Sequence, residues 1–245
     1  MYLTTDGLVL RETACQETSK LLTVLTGERG LLTFKARGVN RRSSHLKAPC
    51  QLLAYGEFTV HENRGYYTVY EAEARELFPA LRADLELLSL GSYFAQLLEL
   101  VSQSDSVNSE LLALGLHALY ALSYQKRSQK LVKAAFELRL LCLAGYTPCL
   151  DGCIMCGNPQ PDRFCPKQGM LCCSACESTF AEKTFPVTAG TLAAMRHIIC
   201  SSTHKLFSFS LGENSLDLLA AATEAYLLAQ MQRGFSALDF YKTLI

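Results

Sequence analysis

The sequence predicts an α+β protein in which a small β-barrel is followed by an α-helical domain that carries an inserted zinc module. Three observations predict this class. Apolar residues alternate with polar ones over about the first eighty residues, they recur at helical spacing beyond Pro79, and two Cys-x-x-Cys pairs interrupt the helical part. We therefore expect a barrel domain at 1–80 and a helical domain at 81–245, with the zinc module at about 149–180.

The N-terminal region has the pattern of five short strands. The predicted strands cover residues 3–10, 20–25, 31–36, 52–61 and 66–72. In the fourth of them, Phe58 and Val60 alternate with polar residues, which is the period of a half-buried strand. Five short strands suit a closed barrel, because closure removes exposed edges. An OB-type barrel is the natural candidate, although a split barrel with another strand order would show the same pattern.

Beyond Pro79 the apolar residues follow the helical period. The predicted helices cover residues 81–101, 109–122, 128–142, 188–200 and 214–231. Ser109 and Ser128 are expected to cap the second and third helices, and Gly145 is expected to end the third. The tail at 234–241 keeps aromatic residues, so we expect it to dock on the helical body.

Four of the 11 cysteines form two tight pairs. The pairs are Cys153 with Cys156 and Cys173 with Cys176, and residues 157–172 lie between them. Each pair turns two sulfurs toward one point, and four thiolates make a closed tetrahedral site with no position for a substrate. We therefore predict one zinc ion per chain, with a structural role.

Two neighbouring cysteines leave the ligand assignment open. Cys172 in place of Cys173 would leave three residues before Cys176, which is a poorer spacing for a metal-binding turn. Cys165 lies between the two pairs and could substitute as a ligand. Redox use of a single pair is the other interpretation, and the presence of two pairs disfavours it.

A cationic segment interrupts an otherwise neutral chain. The protein has 23 basic and 23 acidic residues, a balance that argues mildly against a dedicated DNA-binding protein. From residue 35 to residue 47, however, the chain has no acidic residue and these basic ones: Lys35, Arg37, Arg41, Arg42 and Lys47. A run of charge is often only a solvated surface. Because loops between barrel strands are also where OB folds bind single strands, we predict that these residues contact phosphates.

Other features argue against other functional classes. Residues 1–6 lack the basic and apolar regions of a signal peptide, and no stretch approaches the length of an apolar membrane span. The odd number of cysteines and the apolar fraction of 49% favour a reducing compartment. Phosphate-loop, nucleophile-elbow and zinc-protease motifs are missing from the sequence. We therefore expect a soluble, cytoplasmic binding protein that is not an enzyme.

Eight segments carry a family resemblance through their order and spacing. They lie at 5–11, 17–26, 37–38, 76–79, 136–141, 145–148, 153–157 and 164–176, and together they resemble the bacterial RecO family of DNA repair and recombination mediators. The resemblance implies an N-terminal OB fold, a helical C-terminal domain and a structural zinc with Cys173 as third ligand. It also implies binding of single- and double-stranded DNA and annealing of complementary strands. The implied partners are the single-stranded DNA-binding protein and RecR, which together with this chain would help to load RecA on gapped DNA near the nucleoid.

The resemblance also bears on the basic residues. It implies that the five loop cations contact phosphates, with Arg11 and Lys20 as further candidates. Asn40, Ser43 and His45 stand where family members often carry arginine or lysine, so strong stand-alone affinity for DNA is not expected. The main alternative is a zinc-stabilised scaffold that binds proteins and no DNA. An enzyme with an unrecognised site is the third hypothesis.

Overall fold

The chain folds into two compact units, described by a computed structural model over residues 1–104 and 106–245. The first unit comprises Met1–Gln125 together with Phe235–Ile245, and the second comprises Lys126–Gly234. The predicted division into domains at residue 80 stays a prediction. A search of the described residues found no helix that is both long and apolar enough to cross a membrane.

A closed five-stranded barrel forms the N-terminal part of the first unit. Its strands are β1 (Tyr2–Gln16), β2 (Ser19–Thr26), β3 (Gly30–Ala36), β4 (Tyr55–Asn63) and β5 (Tyr66–Glu76). They follow the order β1-β2-β3-β5-β4, and β4 closes the barrel by pairing with β1. All neighbours are antiparallel except β3 and β5. The closed barrel at the N-terminus confirms the predicted fold class.

Alternating side chains explain why these segments pair as strands. On β3, Leu32 and Phe34 are buried in the barrel core, while Lys35 lies on the outer face. Strand β1 is longer than predicted. It contains β-bulges after Val9 and Ala14, which interrupt the alternation of buried and exposed side chains but let the pairing with β2 continue. A Cβ at Gly56 would lie 2.3 Å from the Glu73 carbonyl oxygen, so the barrel wall requires glycine at this position.

The helices run through both units. They are α1 (Pro79–Ala83), α2 (Leu85–Val101), α3 (Ser109–Ser123), α4 (Gln129–Leu143), α5 (Ala189–Cys200), α6 (Glu213–Met231) and α7 (Ser236–Lys242). The first predicted helix is divided at Asp84, whose carboxylate accepts hydrogen bonds from the backbone of Glu86 and Leu87 at 2.9 and 3.2 Å. The Asp84 side chain caps the N-terminus of α2, and α1 ends at the preceding residue. Asn108, not Ser109, occupies the N-cap position of α3.

The first unit also contains the C-terminal tail. Helix α7 packs on α2, and the ring of Phe235 meets that of Tyr93 with 5.9 Å between centroids. Both rings are buried, so the tail completes the apolar core under α2. The expectation that the tail docks on helices is confirmed.

The second unit combines helices α4, α5 and α6 with a small sheet. The sheet has the strands β6 (Cys149–Cys153), β7 (Arg163–Cys165), β8 (Met170–Cys172) and β9 (Phe185–Pro186), in the order β6-β8-β7-β9. A 3₁₀ helix at Ser174–Thr179 follows β8. Helix α4 packs against both α5 and α6. The predicted helix starts at 188 and 214 lie within one residue of the observed ones.

Candidate nucleic-acid interface and metal centre

The segment between β3 and β4 is a folded cap on the barrel. Three of its side chains, those of Val39, Leu46 and Cys50, are buried in the same apolar cluster as the barrel strands. Burial raises the pKa of the Cys50 thiol to about 12, so this cysteine is a neutral packing residue. Because these anchors are spaced along the segment, the residues between them are held at the surface in a defined arrangement.

Turns hold the basic residues between the anchors. The Arg41 N–H donates to the Gly38 carbonyl at 3.1 Å, and the Ser44 N–H donates to the Arg41 carbonyl at 3.0 Å. Gly38 has a φ of 68°, which glycine adopts without strain, and the Arg41 side chain lies over it. The Asn40 N–H also donates to the Thr18 carbonyl at 3.1 Å, which ties the segment to the β1–β2 hairpin. The turns therefore fix the backbone from which the arginines project.

The five predicted phosphate contacts carry accessible charge. Arg37, Arg41, Arg42 and Lys47 are exposed, and Lys35 is half-buried on the outer face of β3. Among the described residues, none of the five takes part in an ion pair. The Lys47 ammonium donates to the Arg42 carbonyl at 3.2 Å, so it stays close to the arginines without losing its charge. The result is a compact cationic surface, which we call the cationic cap.

The two further candidates differ from the cationic cap. Arg11 forms a salt bridge with Glu99 at 2.9 Å, and Lys20 forms one with Glu12 at 2.8 Å. A phosphate would have to compete with these carboxylates, so both residues are weaker candidates than the cap.

One exposed cation of the barrel lies outside the charge cluster that the sequence shows. Arg64 lies in the tight turn between β4 and β5, is exposed, and has a φ of 53°. A single arginine in a turn forms no charge cluster in the sequence, so no pattern marks it as a binding residue. Of the aromatic residues in the barrel region, Phe34 and Phe58 are fully buried, while Tyr66 and Tyr70 are exposed. Period-two alternation predicts the burial of Phe58, and the fold shows which of the other rings face outward.

Three cysteine sulfurs of the second unit converge. The Sγ atoms of Cys153, Cys156 and Cys173 all lie within 4.8 Å of one another and could hold a metal ion. Those of Cys156 and Cys173 are 3.8 Å apart. Each pair sits on its own turn: the Gly157 N–H donates to the Cys153 carbonyl, and the Cys176 N–H donates to the Cys173 carbonyl, both at 2.9 Å. Gly157 has a φ of 71°, which lets the first turn close behind its two thiols.

Hydrogen-bond donors surround the sulfurs of Cys153 and Cys173, and at Cys153 they favour the thiolate form. Hydrogen bonding by the backbone N–H of Cys156 lowers the pKa of the Cys153 thiol to about 6. The Cys173 N–H also donates to the Cys153 sulfur, at 3.3 Å, and the Asn158 amide donates to the Cys173 sulfur at 3.1 Å. Donors of this kind orient and support thiolate ligands. The side-chain donor Asn158 was not found from the sequence, because its residue type is common in turns.

Cys176, the fourth predicted ligand, lies on the 3₁₀ helix outside this group of three. Its thiol interacts with that of Cys156, and this hydrogen bond raises the pKa of Cys176 to about 12. The thiol is therefore close to the group, and its role as fourth ligand stays a prediction.

Cys165 and Cys172 form a separate pair beneath the site. Both are buried, and their sulfurs lie 3.2 Å apart. Burial raises the pKa of Cys165, and it raises that of Cys172 to about 12. Neither thiol belongs to the group of three among the described residues. The geometry favours packing over metal ligation for both.

Comparisons with known proteins agree over almost the whole chain. Family models described as Recombination protein O match the chain at residues 1–78 for the N terminal part and 82–239 for the C terminal part. A protein named DNA repair protein RecO from Acetivibrio thermocellus is 33% identical over 246 residues, covering 99% of this chain and 97% of the relative. Its namesake from Heliobacterium modesticaldum is 33% identical over 88% of this chain and 80% of the relative. A third, from Alkaliphilus metalliredigens, is 27% identical over the full length of both. With both halves matched in their expected order, the chain belongs to the RecO family of DNA repair proteins.

Proposed function

We propose that this chain is a recombination mediator that binds single- and double-stranded DNA through the cationic cap. Lys35, Arg37, Arg41, Arg42 and Lys47 contact phosphates, and strands held in this way anneal to their complements. With RecR and the single-stranded DNA-binding protein, the chain helps to load RecA on gapped DNA. It acts in the cytoplasm, at the nucleoid during repair.

A single observation carries this proposal: among the described residues no carboxylate pairs with any of the five cations, and the four on the segment anchored in the barrel core are exposed. Unpaired cations can neutralise phosphates without first breaking an ion pair. Each contact releases condensed counterions, so the affinity falls steeply as the salt concentration rises. Because phosphates are the same at every nucleotide, this binding does not depend on base sequence. The anchored turns limit the entropy lost when a strand binds, because the backbone is already ordered.

The test is a double charge reversal in the cap. Titration of labelled oligonucleotides of unrelated sequence should show binding that weakens with salt, and Arg41→Glu with Arg42→Glu should weaken it at every salt concentration. The matched control is Lys126→Glu with Arg127→Glu, which makes the same change in net charge at another adjacent basic pair. An unchanged affinity and salt slope in the first variant would remove the cap from the proposal. A wild-type chain with no signal at low salt would favour the scaffold hypothesis.

We also propose that the cysteines hold one structural zinc ion, with Cys153, Cys156, Cys173 and Cys176 as ligands. Tetrahedral coordination with Zn–S bonds of about 2.3 Å places sulfurs about 3.8 Å apart. The 3.8 Å between the Cys156 and Cys173 sulfurs supports this coordination. Bound zinc would hold the two turns of the module together, and four protein ligands would leave it no open position for catalysis.

A further inference from the structure

An exposed cluster of rings lies on the outer face of the barrel, outside the cationic cap. The Tyr2 ring meets the His61 ring with 5.2 Å between centroids and the Tyr70 ring with 5.3 Å, at interplanar angles of 65° and 71°. Tyr2 is 57% exposed and Tyr70 is 64% exposed, and His61 is exposed as well. We call these three residues the aromatic triad. Rings so exposed add little to the core, in contrast to Phe34 and Phe58, which are 0% exposed.

Strand register explains how three rings from three strands meet. Tyr2 on β1 is directly opposite His61 on β4, so their side chains share the outer face. On β5, Val69 pairs with Val60 and Glu71 pairs with Thr59, which leaves Tyr70 as the extra residue of a β-bulge. Val69 points into the barrel core, so regular alternation directs Tyr70 outward, and the bulge leaves Glu71 on the exposed side as well. Tyr70 therefore lies on the outer face, where its ring meets that of Tyr2.

The same outer face leads from the triad to a cation of the cap. His61 is opposite Thr68 on β5, and Thr68 is opposite Lys35 on β3. Tyr2, His61, Thr68 and Lys35 thus form one row across four neighbouring strands. Three interstrand spacings of about 4.8 Å make this row about 14 Å long. A strand held at Lys35 can therefore extend along the row to the rings.

The opposite end of this face is acidic and limits where a polyanion can lie. Asp6, Glu57 and Glu73 occupy adjacent positions on β1, β4 and β5. Arg75 bridges Asp6 and Glu57 at 2.7 Å each, so one guanidinium is shared by two of these three carboxylates. Phosphates are repelled from that end and attracted to the end near Lys35. The charge of the face therefore favours a path between the cap and the triad.

We propose that the aromatic triad stacks unpaired bases of single-stranded DNA whose phosphates are held by the cap. This inference rests on the proposed function and adds to it a site that distinguishes single strands. Every base offers a π face, so stacking on tyrosine is tolerant of sequence. In a duplex those faces are already stacked on one another. The triad therefore favours single strands, whereas the cationic cap binds both forms.

The experiment compares two ligands that share a backbone and differ in bases. One is a labelled oligothymidine, and the other is an oligomer of abasic deoxyribose phosphate of the same length. The wild-type chain should bind oligothymidine more tightly. Tyr2→Ala with Tyr70→Ala should weaken binding of oligothymidine about fivefold for each ring lost, and leave abasic and duplex binding unchanged. Tyr2→Phe with Tyr70→Phe keeps both rings and should keep the preference.

A matched control removes two other exposed tyrosines that also touch each other. Tyr120 and Tyr124 on α3 have ring centroids 5.0 Å apart, and Tyr120→Ala with Tyr124→Ala should leave the preference for bases intact. If the double alanine variant fails to fold, Tyr70→Ala alone is the milder variant. It should lose about half of the difference in log affinity between oligothymidine and the abasic oligomer. The thermal midpoint of each variant is measured beside its affinity.

The outcomes separate this inference from the proposed function. If the wild-type chain binds both ligands with steep salt dependence and no preference for bases, the triad is excluded and the cap stands. If the alanine variant loses abasic binding as strongly as oligothymidine binding, the triad has no stacking role. If the wild-type chain binds neither ligand at low salt, both proposals fall.

Discussion

The cationic cap of the barrel and the core of the second unit use basic residues in opposite ways. In the cap, Arg41 and Arg42 are exposed and have no carboxylate partner among the described residues. In the second unit, Lys133 is buried, with 7% of its side chain exposed, and pairs with Glu137 at 2.8 Å and Glu224 at 2.7 Å.

This contrast separates basic residues that are available to a ligand from those that stabilise the fold. Burial alone would lower the pKa of Lys133, but the charges of Glu137 and Glu224 outweigh it and raise the pKa. The Thr223 hydroxyl also donates to Glu137, at 3.1 Å. Removing a buried, satisfied charge leaves its partners unsatisfied and costs stability, whereas removing an exposed, unpaired charge costs mainly ligand affinity.

The largest expected effect concerns the sulfur site of the second unit. Cys153→Ser should abolish stoichiometric zinc, which we expect at about one ion per chain, and chelation of the wild-type chain should destabilise the module. In small zinc modules the binding free energy linked to folding is on the order of 10 kcal/mol. Metal analysis and thermal unfolding check both points. Cys149→Ser is the control, because Cys149 is exposed and lies outside the group of three. Full zinc content in Cys153→Ser would contradict the ligand set.

The next effect concerns the buried network. Lys133→Ala should lower the free energy of unfolding by about 3–5 kcal/mol, because it removes the ammonium that neutralises the charge of the fully buried Glu137. Urea unfolding measures the loss. Lys130→Ala is a close control, since Lys130 pairs with Asp217 across the same two helices but both side chains are about half exposed. That change should cost less than about 1 kcal/mol. Equal losses in the two variants would show that burial does not set the difference.

The network also predicts the pH range of this stabilisation. The folded-state pKa of Lys133 is raised, so its contribution is fully present below the unfolded pKa of about 10.4 and is lost as pH rises through the folded value. Urea unfolding of the wild-type chain and Lys133→Ala should therefore show a constant difference near neutral pH, at pH values where both glutamates are ionised. The difference should shrink only above about pH 10. A loss of the difference near pH 8 would contradict a raised pKa of Lys133 in the folded state.

A smaller effect distinguishes the cationic cap. Arg41→Ala with Arg42→Ala should change the free energy of unfolding by no more than about 0.5 kcal/mol for each residue. On single strands, the slope of log affinity against log salt should become less steep by about 1.4, or about 0.7 for each lost phosphate contact. Titration at several salt concentrations measures this slope. A lower affinity with an unchanged slope would mean that the arginines do not contact phosphates.

Local patterns predicted most of the elements, and contacts between distant residues account for the rest. Alternation on β4 predicted the burial of Phe58, and cysteine spacing identified the converging sulfurs. The break at Asp84 was missed, because one continuous apolar stripe hides a side chain that caps a new helix. The contact between Tyr70 and Tyr2 joins strands β5 and β1, which are distant in sequence, so no local pattern predicts it.

The candidate site shows the same division. Charge clustering found the cap, since its cations are close in sequence. Two findings required the folded structure: in the described part of the chain those cations form no ion pair, and Arg11 pairs with Glu99 on a helix distant in sequence. Sequence patterns therefore locate groups that act together locally, and the fold decides which of them remain available to a ligand.

The smallest expected effect tests whether the cap extends beyond its own segment. Arg64 stands alone in the β4–β5 turn, exposed and without an ion pair among the described residues, on the hairpin that carries His61 and Tyr70. If a strand runs from the cap to the aromatic triad, Arg64→Ala should reduce the salt slope on single strands by about 0.7, half the effect of the double cap variant. Lys126→Ala is the control, because it removes one exposed charge from the second unit. Equal slopes in wild type and Arg64→Ala would confine phosphate binding to the five residues of the cationic cap.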